Sequence, residues 1–270
     1  MNRPHKILFY LGHPAHYHFF SRVFRSLNPD QYIIVIKTKD VLERLLRENN
    51  LPYVNIDADA IGAGRSFFRM LTDLFKRSRQ IGKLARKHRA TLLAASAVEV
   101  AIIGKLFRIP SYVFFEDDFE KIKPFAKIAG PLADHLVCPD CCSAWKWNHK
   151  KIGYAGYHEL AYLHPDHFTA DENIAYRILE KGKKNFLLRF SQLGAYHDKG
   201  INGLTDDKAM HLINLLNPHG RVLISSERPL PPSLEPFRIN IRASDIHHVL
   251  AFTHIYIGDS QTMTAEAAVL

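Results

Sequence analysis

The residues best suited to chemistry sit directly after short apolar runs. Near the end of the chain, the run 255–257 leads into Gly258-Asp259-Ser260 and then into a helix-forming stretch rich in alanine. Ser260 is a good N-cap, because its hydroxyl can accept from a backbone N–H one turn on. The first-turn N–H groups beyond it have no intrahelical partner and carry the positive end of the helix dipole. A strand, a polar turn and a bare helix start can hold phosphate. Glu266 lies about one and a half turns further in and can accept from ribose hydroxyls. The same residues also fit an ordinary strand–turn–helix connection with a surface glutamate.

Other apolar runs end in comparable groups. The run 6–11 is followed by Gly12-His13-Pro-Ala-His16. His13 and His16 can act as general bases or hold phosphate, or be merely exposed loop histidines. The run 111–115 is followed by Glu116-Asp117-Asp118, which supplies a general base, a sugar-hydroxyl acceptor or helix caps. Arg189 ends the run 185–190, with His197 and Lys199 shortly after; these cations can face a diphosphate. Ser225-Ser226-Glu227 end the run 221–225. There is no GxGxxG, P-loop or GxSxG pattern, which disfavours dinucleotide oxidoreductases, P-loop NTPases and α/β-hydrolases.

Composition sets the frame. The 270 residues are 47% hydrophobic and 23% charged, ordinary for a soluble globular protein of two moderate domains. The start lacks signal-peptide character, and the apolar segment 91–104, broken by Glu99, is too short to span a bilayer. A cytoplasmic protein is expected. Cys138, Cys141 and Cys142 include half a zinc spacing with no second pair, so no metal is expected. The net charge is +9, and residues 65–89 hold nine Lys or Arg against Asp73. Apolar residues recur there at roughly helical spacing. This reads as an amphipathic basic helix with a solvated face, or as one that attaches to an anionic membrane surface at the periphery. No nucleic-acid motif accompanies the charge.

The elements that carry these residues follow from periodicity. The spacing predicts strands over 6–11, 32–37, 53–56, 91–95, 111–115 and 135–137. Helices over 15–27, 40–48, the basic segment, 98–107 and 119–129 separate them. Residues 148–170 read as a connection. The pattern restarts with a helix over 171–181 and strands over 185–190, 221–225 and 255–257. Helices over 206–216 and from Ser244 or Asp245 to 252 lie between them. The expected fold is α/β with two Rossmann-like domains: 1–147, then the connection 148–170, then 171–270. The second domain stops inside its last helix, so a fragment is expected. Ligands of such sheets bind past the carboxyl ends of the strands.

Six segments recur in order along nearly the whole chain: Gly12-His-Pro-Ala-His16, Gly156-Tyr-His-Glu-Leu-Ala-Tyr-Leu-His-Pro165, Arg189, Ala195-Tyr-His-Asp198, Ser225-Ser-Glu227 and Ile257-Gly-Asp-Ser-Gln-Thr-Met-Thr-Ala-Glu-Ala-Ala268. Together they resemble domain of unknown function family 354, a family of predicted sugar-nucleotide glycosyltransferases. The last segment is also similar to the Asp-Ser-Gly-Gly…Glu segment of UDP-N-acetylglucosamine 2-epimerases. In place it is similar to the nucleotide-binding segment of the lipid-linked glycosyltransferase of peptidoglycan synthesis. The resemblance implies the glycosyltransferase B fold, with a nucleoside-diphosphate sugar, UDP-linked by preference, held mainly by the second domain. Carried over by position, it places Ser260 and Gln261 at the diphosphate and Glu266 at the ribose. In the transferase reading of the residues, the backbone N–H groups of Ser260 to Thr262 stabilise the departing diphosphate with Arg189 or His197, beside Ser225, Ser226 and Glu227, and His13, His16 or Glu116 deprotonates the acceptor, without metal or cofactor. Gln261-Thr262 replace the glycine pair of the epimerases, and their His-x-Glu-Ala-Gly motif is absent, with Phe114-Phe-Glu-Asp-Asp118 in a similar place. The first departure holds the backbone further from phosphate, and the missing motif counts against epimerisation; the expected function is transfer, in cell-surface polysaccharide or glycolipid synthesis. Epimerisation is the alternative, and a non-catalytic nucleotide-sugar binder the second.

Overall fold

A computed structural model of the chain describes residues 5–37, 40–56, 67–191 and 203–270. The chain divides into two compact units, Met1–Tyr162 and Leu163–Leu270. In the first, β1 (Ile7–Leu11), β2 (Tyr32–Ile36), β3 (Tyr53–Asn55), β4 (Leu92–Ala95), β5 (Ser111–Phe114), β6 (His135–Pro139) and β7 (Lys151–Tyr154) form one sheet in the order β3-β2-β1-β4-β5-β6-β7. Every neighbouring pair is parallel. The strand order reverses between β1 and β4, the switch point at which such sheets open a crevice.

The strands are apolar on both faces because helices cover both. Leu8 and Tyr10 pack into one core with Ile81, Val100 and Ile103. Phe9, on the opposite face of β1, meets the rings of Phe20 and Phe24 at 5.1 and 5.0 Å. Those rings belong to α1 (Pro14–Ser26), which starts with a proline at its first position, where no N–H is missed. The other helices of this unit are α2 (Asp40–Glu48), α3 (Phe67–Lys87), α4 (Val98–Phe107) and α5 (Lys123–Leu132). A Cβ on Gly82 would lie 2.5 Å from the Phe107 ring, so glycine there lets α3 and α4 approach. Arg77 of the basic segment turns inward to Glu99, 2.9 Å away, with both side chains mostly buried.

In the second unit β8 (Asn185–Phe190), β9 (Arg221–Ser226) and β10 (Ile255–Gly258) form a parallel sheet in the order β10-β8-β9. Phe186, Leu188 and Phe190 pack on Ala209 and Ile213 of α8 (Asp206–Leu216). Leu187, pointing the other way, packs on Val249 and Leu250 of α9 (Ile246–Ala251) and Met263 of α10 (Gln261–Val269). The fold class is as expected: α/β, with two parallel sheets.

Several elements differ from expectation. Residues 148–170 contain β7 and the single turn α6 (Leu160–Leu163). β7 is an edge strand with one aliphatic side chain, Ile152, which is exposed, so it leaves no periodicity to read. The helix expected over 171–181 is one turn, α7 (Glu172–Ala175). Beyond it the buried Asn185 side chain bonds the Glu180 N–H, the Glu180 carbonyl and the Lys183 carbonyl, all within 3.0 Å. Side-chain bonds of this kind compete with a helical backbone. Asp245 precedes α9 without a side-chain cap bond, because its carboxylate accepts from Arg242 and Ser244.

Candidate functional site

Three strand ends meet in the second unit. The parallel register sets Arg189 of β8 beside Ser225 of β9 on one side and Gly258 of β10 on the other. The Arg189 guanidinium donates to Ser225 Oγ at 2.6 Å and is paired with Glu227. Its Nε is buried and has no hydrogen-bond partner among the described residues. A Cβ on Gly258 would lie 2.6 Å from Arg189 Cβ, so glycine is what lets the arginine stem run along β10.

The turn after β10 is built by side chains. Asp259 accepts the Ser191 N–H at 2.6 Å and the Leu204 N–H at 3.1 Å, and so binds together two points of the chain that flank residues 192–202. Ser260 is extended and its Oγ accepts the Met263 N–H at 3.3 Å, an N-cap. The first intrahelical bond runs from the Thr264 N–H to the Ser260 carbonyl at 3.0 Å. The amides of Gln261 and Thr262 come before it, at the positive end of α10.

Not every expected residue joins this group. Ser226 Oγ donates to the Arg228 carbonyl and accepts the Arg228 N–H, closing the turn after β9. Glu266 is 4% exposed and lies 3.0 Å from His247 Nε2 on α9. A carboxylate read as facing ribose is thus buried in the interior of the unit, beside an imidazole. His197 and Lys199 lie outside the described residues.

In the first unit, His13, His16 and Glu116 all follow strand ends of one sheet edge. His13 is the N-cap of α1, its Nδ1 accepting the Ala15 N–H at 3.2 Å. His16 Nδ1 accepts the Gly12 N–H at 3.2 Å. In the neutral ring this places each proton on Nε2. Both rings therefore offer a donor, which suits holding an oxyanion better than removing a proton.

Glu116 has a different setting. Burial, followed by the charges of Glu159 and Asp117, pushes its carboxyl up to about 7. The side chain is still 55% exposed, so solvent and ligands reach it. His158 Nδ1 lies 3.5 Å from Glu116 and 2.8 Å from the Tyr154 hydroxyl. Burial lowers His158 to about 4, and its ring stacks on Phe19 of α1 at 4.1 Å. Burial raises Tyr154 as well, so it stays a phenol. A neutral imidazole and a phenol beside a carboxyl that titrates near neutrality form a proton-transfer group. Sequence reasoning missed the roles of Tyr154, His158 and Glu159. The string Gly156-Tyr-His-Glu159 was visible, but the strand that presents it was not.

Cys138 and Cys142 are held as thiols. Burial pushes Cys138 up to about 11 and Cys142 up to about 12. Cys142 Sγ donates to the Glu116 carbonyl at 3.0 Å, which fixes the backbone at that residue.

With this geometry in view, known structures give the fold. UDP-N-acetylglucosamine 2-epimerase from Rickettsia bellii superposes with a TM-score of 0.66 at 14% identity, over 99% of this chain and 77% of the epimerase. A spinosyn rhamnosyltransferase complexed with thymidine diphosphate gives 0.59 at 14%, over 98% and 77%. An Anabaena protein, HepE, in complex with UDP and glucose gives 0.56 at 13%, over 98% and 78%. The fold is of the glycosyltransferase B type. No protein-family model matches the sequence, and no curated protein does.

Proposed function

We propose that this protein is a metal-independent glycosyltransferase that takes a sugar from a nucleoside diphosphate, UDP by preference, and passes it to an acceptor hydroxyl. The observation that carries this reading is the convergence of Arg189, Ser225 and Gly258 on the α10 N-terminus. Charge develops on the departing diphosphate as the glycosidic bond breaks. The Gln261 and Thr262 amides, capped in place by Ser260, and the Arg189 guanidinium are donors prearranged for that charge. Glu116 of the first unit takes the acceptor proton. Burial and the neighbouring Glu159 and Asp117 carboxylates raise its pKa toward neutrality, where a base is both ionised and strong enough to act. His13 and His16 contribute Nε2–H donors. The neighbours solved with UDP or thymidine diphosphate support a nucleotide-sugar ligand, and the motif-level resemblance to domain of unknown function family 354 supports transfer. The acceptor is assigned to a polysaccharide or glycolipid pathway at the cytoplasmic face of an anionic membrane, reached through the basic helix α3. Arg65, included in that segment, lies outside the described residues.

The epimerase alternative is favoured by one observation, the clustering of Glu116, Glu159, His158 and Tyr154, which could move a proton at sugar carbon 2. The two readings separate in deuterium oxide. An epimerase incorporates deuterium at carbon 2 of UDP-N-acetylglucosamine without acceptor. A transferase does not, and instead releases UDP slowly by hydrolysis. Neither event, with UDP still bound, would leave a non-catalytic binder. Under the transferase reading, Glu116→Gln lowers UDP release at least 100-fold with unchanged UDP affinity. A Glu116→Gln protein as fast as the parent would remove Glu116 from the mechanism.

A further inference from the structure

At the other end of the first sheet, α3 and α4 finish side by side around an open cavity of about 490 Å³. Arg86, Arg89 and Arg108 line it with Leu106, Phe107, Ile109 and two alanines, and among the described residues no acidic one lines it. The α3 chain runs from here into β4, and the α4 chain into β5, so the cavity lies at the amino ends of these strands. Glu116 stands past the carboxyl end of β5, and the histidines past that of β1.

Two of the three arginines occupy positions that suit glycine. The Ala90 N–H bonds the Ala85 carbonyl and the Arg89 N–H the Arg86 carbonyl, a Schellman closure of α3 with Arg89 in the left-handed region at φ 55°. At the end of α4, the Ile109 N–H bonds the Gly104 carbonyl, and Arg108 is again at φ 55°. A non-glycine residue there is strained, and strain of this kind is retained where the side chain has work to do. The Arg86 guanidinium carbon lies over the Phe107 ring, 4.0 Å from its centroid. Leu106 is 70% exposed next to the cavity, and Phe75 on α3 is 73% exposed.

We propose that this cavity seats the phosphate headgroup of an anionic phospholipid, while Leu106 and Phe75 enter the bilayer interface. Three cations without a carboxylate complement one phosphodiester and its neighbours in an anionic leaflet. The apolar lining and the exposed Leu106 fit an amphiphile better than a free phosphate, which has no use for either. This sharpens the membrane part of the proposed function and is independent of its nucleotide-sugar chemistry.

The test is co-sedimentation of the 270-residue chain with vesicles of phosphatidylcholine, with and without phosphatidylglycerol. Binding is expected only with phosphatidylglycerol. Each cation near an anionic surface contributes roughly five-fold to such binding, so losing any three costs on the order of 100-fold; Arg86→Gln with Arg89→Gly and Arg108→Gly is expected to weaken binding at least ten-fold beyond that, because the seat for the headgroup goes with the charge. The two glycines fit the left-handed backbone, so this variant should melt no lower than the parent. Lys76→Gln with Arg79→Gln and Lys83→Gln removes equal charge from the same helix outside the cavity and is expected to cost at least ten-fold less than the cavity variant. Leu106→Ser is expected to weaken binding without altering charge. Equal losses from the two triple variants would replace the site by a diffuse basic face and overturn the proposal. So would absence of binding to phosphatidylglycerol. So would inorganic pyrophosphate raising the melting temperature of a chain that ignores vesicles, or a concentration-dependent dimer abolished by Leu106→Ser. UDP titration of the cavity variant, expected to match the parent, keeps the outcome separate from that of the donor site.

Discussion

Arg189 depends on a neighbour that has no side chain. Adding a methyl at Gly258 would bring it to 2.6 Å from Arg189 Cβ and 3.0 Å from the Arg189 carbonyl oxygen, and the backbone oxygen cannot step aside. Gly258→Ala is therefore expected to destabilise the chain by about 1–3 kcal/mol and to weaken UDP binding with it. Chemical denaturation and calorimetry measure the two effects. Glu116 sets a different expectation, in pH. Its folded-state pKa of about 7 stands above the ordinary 4.5, so the folded chain binds the extra proton between these values. That contribution to stability is fully present below about 4.5 and is lost as pH rises through about 7. The Glu116→Gln variant should therefore gain stability relative to the parent above neutrality, and the gap should close in acid. Activity runs the opposite way, because the ionised form is the base: turnover should rise as pH increases through about 7. A rate that falls over that limb would assign Glu116 to the acid role.

Element ends, more than their middles, separate what sequence reveals from what it hides. The β1, β2, β8 and β9 runs are apolar on both faces and are legible as buried parallel strands. The Ser260 cap of α10 follows from local chemistry alone, and the structure forms it. The pairing of Glu266 with His247 was not legible, because 19 residues and a strand separate them. The alignment of Tyr154 and His158 with Glu116 depends on β7, whose four-residue run Lys151-Ile-Gly-Tyr154 is too short, with one aliphatic side chain, to read as a strand. The ends of α3 and α4 hide their left-handed residues behind arginines, where a glycine would have announced the stop. That also yields a prediction: Arg89→Gly and Arg108→Gly each relieve a positive φ and should stabilise the chain by up to about 1 kcal/mol. Thermal unfolding of the single variants tests this.

Across the molecule, the proposed function divides its chemistry by unit: proton transfer falls to the first sheet edge and diphosphate binding to the second. The net charge of +9 is concentrated in and around α3, with Arg77 withdrawn from the surface to meet Glu99. No helix among the described residues is long and apolar enough to cross a membrane. The fold leaves transfer and epimerisation open, since matched structures include both kinds of enzyme. Arg189 is already paired with Glu227, so under the proposed function an incoming diphosphate has to compete with that carboxylate.

The central claim, that the second unit binds a nucleoside diphosphate at Arg189 and the α10 N-terminus, is tested by titrating UDP into the chain in a calorimeter. Binding is expected in the parent, weakened at least ten-fold by Arg189→Ala, since a charge-assisted bond to phosphate is lost. Glu227→Gln should tighten it several-fold by releasing the guanidinium. UDP affinity unchanged by Arg189→Ala, or no UDP binding at all, would contradict the account.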